Sequence, residues 1–336
     1  MPSEVMRAAV LETIGAPFRI ATLPRPVPGA GEVSVRIVAS AVNPLDLKIR
    51  AGEAVHARHP LPAILGIDMA GVVDTIGPGV TGFRRGDEVY GMTGGVGGLP
   101  GSLAQYAGVD VRLLAHKPAT LSMREAAALP LAFITAWEGL VDRAAVKAGD
   151  KVLIQGGAGG VGYIAIQIAH AFGAQVLATG SESDRSLIER LGAVAVGRDP
   201  APETIVAAHT GGVGFDIVFD TVGGAVLDAS FQSVRRFGHV VSALGWGTHS
   251  LAPLSFRAAS YSGIFTLLPL LTGEGRAHHG RILHEATRLA ETGKISPRLD
   301  PRRFTLETAS DAYDASQDGR NGGKLVIDVD SVPTGP

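Results

Sequence analysis

A glycine-rich segment carries the clearest chemistry in this sequence. Gly157, Gly159 and Gly162 have the spacing G-x-G-x-x-G, directly after the apolar run Lys151–Gln155 and before a stretch with a helical pattern. Glycines in such a turn let a diphosphate approach the backbone, and the helix N-terminus offers N–H groups and a positive dipole. A plain tight turn is the alternative. We predict a diphosphate-binding turn formed by Gly157, Ala158, Gly159, Gly160, Val161 and Gly162.

The tip of the next predicted strand indicates which dinucleotide binds. NAD sites usually place Asp or Glu about 20 residues beyond the glycine turn, where it binds the ribose 2′-hydroxyl. Here Thr179, Gly180 and Ser181 occupy the tip, and Arg185 follows. Because a 2′-phosphate would be accepted by such residues and repelled by an acid, Thr179, Ser181 and Arg185 favour NADPH. Glu182 keeps NAD open, since a one-residue shift would bring it to the ribose, and a solvated charge is the alternative for Arg185.

Composition excludes several other kinds of chemistry. The chain contains no Cys, which rules out disulfides, Cys-ligated zinc, iron–sulfur clusters and a thiol nucleophile. The pairs His56/His59 and His278/His279 could bind a metal, but surface histidines explain them better. A net charge of −2 provides no field for nucleic acid or an anionic membrane. Apolar runs fall short of the roughly 20 residues of a spanning helix, and no secretory signal is evident, so we expect a cytoplasmic protein.

The elements that must position these residues divide the chain into three segments. Residues 1–122 contain short β-rich runs separated by turns. Ser122 and Glu125 form a capping-box pattern that begins a helix, and strands then alternate with helices to about residue 270. This alternation, which includes a helix over Ala225–Phe237 and a strand over Tyr261–Leu267, predicts a doubly wound parallel sheet. Residues 271–336 contain a helix at Ile282–Thr292 and strands that would return to the first domain.

Several ordered motifs resemble those of a known family. They lie at Asn43–Gly52, Gly66–Val73, Gly82–Tyr90, Leu129–Trp137 and Asp220–Gly224. With the glycine turn, they resemble the zinc-independent quinone oxidoreductases of the medium-chain dehydrogenase/reductase superfamily over nearly the whole chain. The resemblance implies an α/β fold: a β-rich GroES-like catalytic domain (1–122), a Rossmann dinucleotide-binding domain (123–270) and a C-terminal segment (271–336) that returns to the catalytic domain. It also implies a groove between the two domains.

The resemblance also bears on metal chemistry. Zinc-containing members of the superfamily hold their catalytic metal with Cys, His and a second Cys or Asp, and the matching positions here are Asn43, Ile67 and Leu131. Two of these are aliphatic, so we expect no zinc. Without a Lewis acid to stabilise an alkoxide, a quinone or an activated C=C bond is the easier acceptor, because its developing negative charge is delocalised.

The resemblance suggests the remaining site residues. Asn43 would lie near the nicotinamide and could bond the acceptor's carbonyl or the cofactor ribose, with a turn residue as the alternative. Lys48 could stabilise developing oxygen charge, with a solvated surface lysine as the alternative. Asn43 and Lys48 are therefore the candidate catalytic residues. The implied cofactor contacts outside the glycine turn and the strand tip are Asn43, Thr135, Val222, Ala243, Leu244, Gly245, Phe265 and Lys324.

Three functions follow as hypotheses. The first is an NADPH-dependent, zinc-free oxidoreductase that transfers hydride to a quinone or a related electron-poor carbonyl compound. The second keeps the cofactor and saturates the C=C bond of an enal or enone, and the third is a cofactor-binding protein without turnover.

The resemblance further implies a homodimer, with Tyr261–Leu267 as the candidate edge strand and an ordinary buried strand as the alternative.

Overall fold

The chain folds into two compact units. The computed structural model describes residues 4–319 and 321–330 of the 336-residue chain. One unit contains the residues up to Leu131 together with those from Leu267 onward, and the other contains Ala132–Thr266. We call them the catalytic unit and the dinucleotide unit.

The elements follow in chain order. Those up to the first boundary are β1 (Val5–Leu11), β2 (Arg19–Pro24), β3 (Glu32–Ala41), α1 (Pro44–Arg50), β4 (Ala63–Ile64), β5 (Asp68–Ile76), β6 (Glu88–Met92), β7 (Tyr106–Asp110), β8 (Leu114–His116), α2 (Met123–Ala127) and α3 (Pro130–Trp137). The next are β9 (Lys151–Gln155), α4 (Gly160–Ala171), β10 (Gln175–Gly180), α5 (Arg185–Arg190), β11 (Val194–Gly197), α6 (Pro202–Thr210), β12 (Phe215–Asp220), α7 (Ala225–Ser233), β13 (Val234–Ser242), α8 (Ala252–Ser255) and β14 (Ser260–Gly263). The last are α9 (Leu268–Thr272), α10 (Arg276–Glu291), β15 (Phe304–Thr305), α11 (Ala309–Gln317) and β16 (Val326–Asp328).

In the catalytic unit, β3 pairs with three other strands. It pairs antiparallel with β5 along one edge, and with β7 and then β16 along the other. The register places Ala41, the last residue of β3, opposite both Asp68 and Val326. Strands from the two ends of the chain therefore meet where β3 ends.

The dinucleotide unit contains a six-stranded parallel sheet in the order β11-β10-β9-β12-β13-β14. Its core includes the buried side chains of Leu153, Leu177, Phe215, Val218 and Phe231. The order 3-2-1-4-5-6 is that of dinucleotide-binding folds, whose ligands lie at the carboxyl ends of the strands. The predicted fold class is confirmed for both units.

The structure places the unit boundaries at positions other than those expected at 122/123 and 270/271. Helix α2 packs against β3 and β5, so it belongs with the β-rich unit, and the first boundary falls within α3. The second boundary falls before Leu267, because α9 belongs with the catalytic unit.

Several predicted elements differ from the observed ones. The helix expected over Ala225–Phe237 ends at Ser233, because Val234 begins β13, which the parallel sheet buries. The strand expected over Tyr261–Leu267 ends at Gly263. The motif Asn43–Gly52 contains the helix α1. In the described part of the chain, no helix is both long enough and apolar enough to cross a membrane.

Candidate functional site

A buried polar network lies at the end of β3 in the catalytic unit. The Asn43 side chain donates from Nδ2 to Asp68 Oδ2 at 3.0 Å and accepts at Oδ1 from the Lys324 ammonium. The other carboxylate oxygen of Asp68 accepts from the backbone N–H of Leu131 at 3.0 Å. Asn43 and Asp68 are fully buried, and Lys324 is partly exposed. We call these residues, with Asp46, the Asn43 network.

Local sequence explains how Asn43 is held. Asn43 is the N-cap of α1, Pro44 occupies the first helical position, and the carboxylate of Asp46 accepts from the Asn43 backbone N–H at 2.9 Å. Proline suits this position because the N–H that it lacks would have no intrahelical acceptor, and an acid near the N-terminus complements the helix dipole. The segment N-P-x-D therefore fixes the Asn43 backbone and leaves its amide to bond Asp68 and Lys324.

Burial shifts the pKa values of the charged residues in the Asn43 network. Removal from water raises the pKa of Asp46 to about 7 and that of Asp68 to about 6. Burial also lowers the pKa of the Lys324 ammonium, while Asp68 and Asp46 oppose that shift. Asp46 Oδ1 is buried without a hydrogen-bond partner. The network therefore combines one ammonium with two carboxyl groups whose burial opposes their charged forms.

The three positions that match zinc ligands do come together. Asn43 and Leu131 both bond Asp68, and Ile67 is the buried residue before it. Their groups are an amide already engaged with a lysine ammonium, a backbone N–H and an aliphatic side chain, which do not suit Zn²⁺. Among residues 4–319 and 321–330, no group of three or more His, Asp or Glu side chains could hold a metal ion.

The glycine turn of the dinucleotide unit fits a diphosphate. A Cβ on Gly157 would lie 2.6 Å from Ala178 Cβ, and one on Gly162 would lie 2.1 Å from the Gly156 carbonyl oxygen, so both positions require glycine. Gly159 caps α4 and Gly160 opens it, and a Cβ on Gly160 would meet nothing within 4 Å. The first amides of a helix lack intrahelical acceptors, so α4 presents N–H groups on an open face.

Thr179 supports the glycine turn through hydrogen bonds from its side chain and its backbone. Its hydroxyl accepts from the Gly156 N–H at 3.0 Å and donates to Gln155 Oε1 at 2.9 Å, and its carbonyl accepts from the Gly157 N–H. Since Thr179 is buried, the structure shows it as a support for the glycine turn. A direct contact of Thr179 with the cofactor stays a prediction.

The predicted phosphate residues lie just beyond β10. The Asp184 carboxylate accepts from the Ser181 backbone N–H at 2.9 Å and from its hydroxyl at 2.5 Å. Arg185 is exposed and pairs with Glu182 at 2.9 Å and Glu189 at 3.7 Å. Glu182 is therefore occupied by Arg185, on the exposed side of the turn.

The remaining predicted contacts of this unit cluster at the ends of β12 and β13. A Cβ on Gly156 would lie 2.9 Å from Val222, and one on Gly223 would lie 2.6 Å from the Leu244 carbonyl oxygen. Ala243 and Leu244 are half-buried, and Gly245 is exposed. The glycine turn, Val222 and the segment 243–245 thus share the carboxyl edge of the sheet, where dinucleotides bind.

Thr135 and Phe265 occupy a second part of the dinucleotide unit. The Thr135 hydroxyl lies 3.1 Å from that of Thr266, which donates to Glu138 at 3.0 Å. The half-buried ring of Phe265 meets Trp246 edge-on, with centroids 5.9 Å apart. Sequence reasoning did not find Thr266 or Glu138, because their hydrogen bonds depend on the packing of α3.

Lys48 lies outside the Asn43 network. It is exposed on α1, two residues from the fully buried Asp46, and positions two apart point to opposite sides of a helix. Its predicted catalytic role stays a prediction. Arg50, the other base on this helix, pairs with Asp314 at 2.6 Å.

Comparisons with known proteins agree with this architecture. Residues 29–119 match a family model described as an alcohol dehydrogenase GroES-like domain, and residues 191–327 match one described as a zinc-binding dehydrogenase. An NADPH-dependent alkenal/one oxidoreductase, chloroplastic, from Arabidopsis thaliana is 35% identical over 304 residues, which are 88% of this chain and 72% of the relative.

Two solved structures extend the comparison. An alcohol dehydrogenase superfamily protein from Novosphingobium aromaticivorans has a TM-score of 0.95 and 59% identity, covering 97% of this chain and all of that one. A quinone oxidoreductase from Coxiella burnetii has a TM-score of 0.81 and 28% identity, over 97% of this chain and all of that one. The protein is a medium-chain oxidoreductase. Within that superfamily, the chain belongs to the zinc-independent quinone oxidoreductase-like family.

Proposed function

We propose that this enzyme uses NADPH to reduce a quinone or an α,β-unsaturated carbonyl compound without a catalytic metal. The observation that carries the proposal is the Asn43 network, in which the Asn43 amide, at a position that matches a zinc ligand, bonds the Asp68 carboxylate and the Lys324 ammonium. The glycine turn adds a fitted diphosphate site. NADPH is favoured because the tip of β10 has hydroxyls and an arginine, and because a relative's name specifies NADPH.

Different residues would bind different parts of the cofactor. We assign the diphosphate to the N–H groups around Gly159 and Gly160, and the nicotinamide end to Ala243, Leu244 and Gly245. Bound there, the reduced nicotinamide supplies a hydride. Thr135 and Phe265 remain candidates for further contacts with that end.

The Asn43 network supplies the electrostatics. When a carbonyl compound accepts a hydride, negative charge develops on its oxygen, and preorganised donors aimed at that oxygen lower the barrier. An ammonium has three N–H groups, and Lys324, which is partly exposed, keeps donors beyond the one that bonds Asn43. Asp68 orients the Asn43 amide, and Lys324 supplies the positive charge that the sequence had suggested for Lys48.

Two acceptors remain candidates because each has an independent argument. A quinone delocalises the developing charge well, and the family and the Coxiella burnetii structure carry that name. The Arabidopsis thaliana relative is named for alkenals and alkenones. Both acceptors place the developing charge on an oxygen that the Asn43 network could bind.

Oxidation of NADPH, followed by its own absorbance, distinguishes them. The purified protein is given a quinone or an enone in separate assays, with NADH in parallel. Turnover with NADPH and either acceptor supports the proposal and identifies the substrate class. Binding of NADPH without turnover on both would reject it, and equal or better use of NADH would reject the cofactor preference.

We also propose a homodimer formed through β14. This strand has β13 on one side and is the edge of the parallel sheet, and Tyr261 on it is 38% exposed. Open edges tend to be covered, and a second copy is one way to cover them. Sedimentation equilibrium should give twice the chain mass of 34.6 kDa, and a particle of the chain mass would contradict this assembly.

A further inference from the structure

A second arginine reaches the tip of β10 from the neighbouring strand. The parallel register pairs Gly180, the last residue of β10, with Gly197, the last residue of β11. Ser181 and Arg198 therefore leave the sheet side by side at its carboxyl edge. Sequence reasoning missed Arg198, because β11 was not predicted and the residue lies 17 positions beyond Ser181.

The surroundings of Arg185 make it a poor partner for another anion. Its guanidinium bonds both oxygens of Glu182, at 2.9 and 3.1 Å, and also faces Glu189 at 3.7 Å. One cation between two carboxylates leaves a local excess of negative charge. A phosphate approaching Arg185 would have to displace a bidentate pair.

Arg198 has a different environment. It contacts one carboxylate oxygen, Asp184 Oδ2, at 3.2 Å, and its side chain is 63% exposed. That oxygen also accepts from the backbone N–H and the hydroxyl of Ser181, so its charge is already partly satisfied. A guanidinium has five N–H donors, which leaves Arg198 donors for a bidentate bond to phosphate. The hydroxyls of Ser181 and Ser183, 2.8 Å apart, lie on the same turn.

We propose that Arg198, rather than Arg185, binds the 2′-phosphate that distinguishes NADPH from NADH, together with the hydroxyls of Ser181 and Ser183. Asp184 would hold Arg198 beside Ser181 before the cofactor arrives. This inference rests on the proposed function, because it assumes an adenine dinucleotide at the carboxyl edge of the sheet.

Titration calorimetry with two nucleotides tests the assignment without catalysis. Adenosine 2′,5′-bisphosphate carries the 2′-phosphate, and adenosine 5′-monophosphate lacks it. R198A should weaken binding of the bisphosphate by about tenfold or more, the effect expected for losing a charge-assisted bidentate bond. R198A should leave the monophosphate affinity unchanged, and R198K should restore part of the loss.

Two further variants complete the experiment. R190A removes an exposed arginine of α5, the helix that begins at Arg185, and should match the wild type; Arg190 donates to the Ser186 hydroxyl at 3.3 Å. R185A should weaken bisphosphate binding by less than R198A does. Wild-type affinity of R198A for the bisphosphate, or a larger loss in R185A, would overturn the assignment while leaving the NADPH proposal intact. If the wild type bound neither nucleotide, the dinucleotide site itself would be rejected, and the assignment would fall with it.

Discussion

At the scale of single residues, the site depends on where two lysines lie. Lys48 follows Asn43 closely in sequence, yet α1 turns it to the exposed surface. Lys324 lies 281 positions away from Asn43, yet its ammonium bonds the Asn43 side chain. Charge stabilisation is stronger where water is partly excluded, so the buried network is the better place for the cation.

Exchanging each lysine for methionine separates these roles. K324M should lower kcat by about 100-fold, because it removes a donor and a charge from the oxygen that becomes negative. K48M should stay close to the wild type. Steady-state kinetics with varied acceptor and varied NADPH check this. A higher KM for NADPH with an unchanged kcat in K324M would mean that Lys324 only binds the cofactor, and a large loss in K48M would return the role to Lys48.

Asp46 makes stability depend on pH. Its folded-state pKa of about 7 is above the ordinary 3.8, so the folded state binds this proton more tightly than the unfolded state does. The resulting stability is complete below about pH 4 and is lost as pH rises towards 7, with an upper bound of about 4 kcal/mol.

Urea unfolding at a series of pH values measures this effect. D46N keeps the shape and an acceptor for the Asn43 N–H but carries no charge. Between pH 4 and 7, D46N should lose less stability than the wild type does. D199N, which alters an exposed carboxylate, is the control and should follow the wild type. A D46N curve parallel to that of the wild type would show that Asp46 does not hold the proton.

At the scale of elements, periodic and capped segments were predictable, and segments defined by long-range pairing were not. The apolar run Lys151–Gln155 forms a strand with the same bounds, and Ser122 caps α2 through Glu125 as expected. The end of α7 was missed because Val234 fits the apolar pattern of a helix and that of a strand equally well. Its pairing with β12 makes it the first residue of β13. Within the site, local motifs predicted Asn43 and the glycine turn. The position of Arg198 beside Ser181 depends instead on the register of β10 and β11.

Gly160 and Gly162, which differ in the space around them, test the turn that begins α4. G162A should destabilise the fold by about 1–3 kcal/mol, since its Cβ would lie 2.1 Å from the Gly156 carbonyl oxygen. G160A has open space and should keep the wild-type stability, but its methyl group would occupy the face assigned to the diphosphate and weaken NADPH binding. Thermal unfolding and NADPH titration measure the two effects. Equal stability of G162A and the wild type, or undiminished NADPH affinity in G160A, would contradict these roles.

At the scale of the whole molecule, the catalytic unit is assembled from both ends of the chain. β16 pairs with β3, and Lys324, which precedes β16 in the chain, bonds the Asn43 side chain. The intervening residues form the dinucleotide unit, with its own parallel sheet and core. Residue types and motifs identify both units, but the meeting of Lys324 with Asn43 follows only from strand pairing that no local pattern specifies.

The most direct test of the account is NADPH oxidation by chelator-treated protein while zinc is titrated back, with the bound metal measured in the same samples. We predict full turnover with far less than one zinc per chain, unchanged by added zinc, because the proposed function assigns the stabilising charge to the Asn43 network. Activity that rises in proportion to bound zinc and vanishes without it would contradict the account.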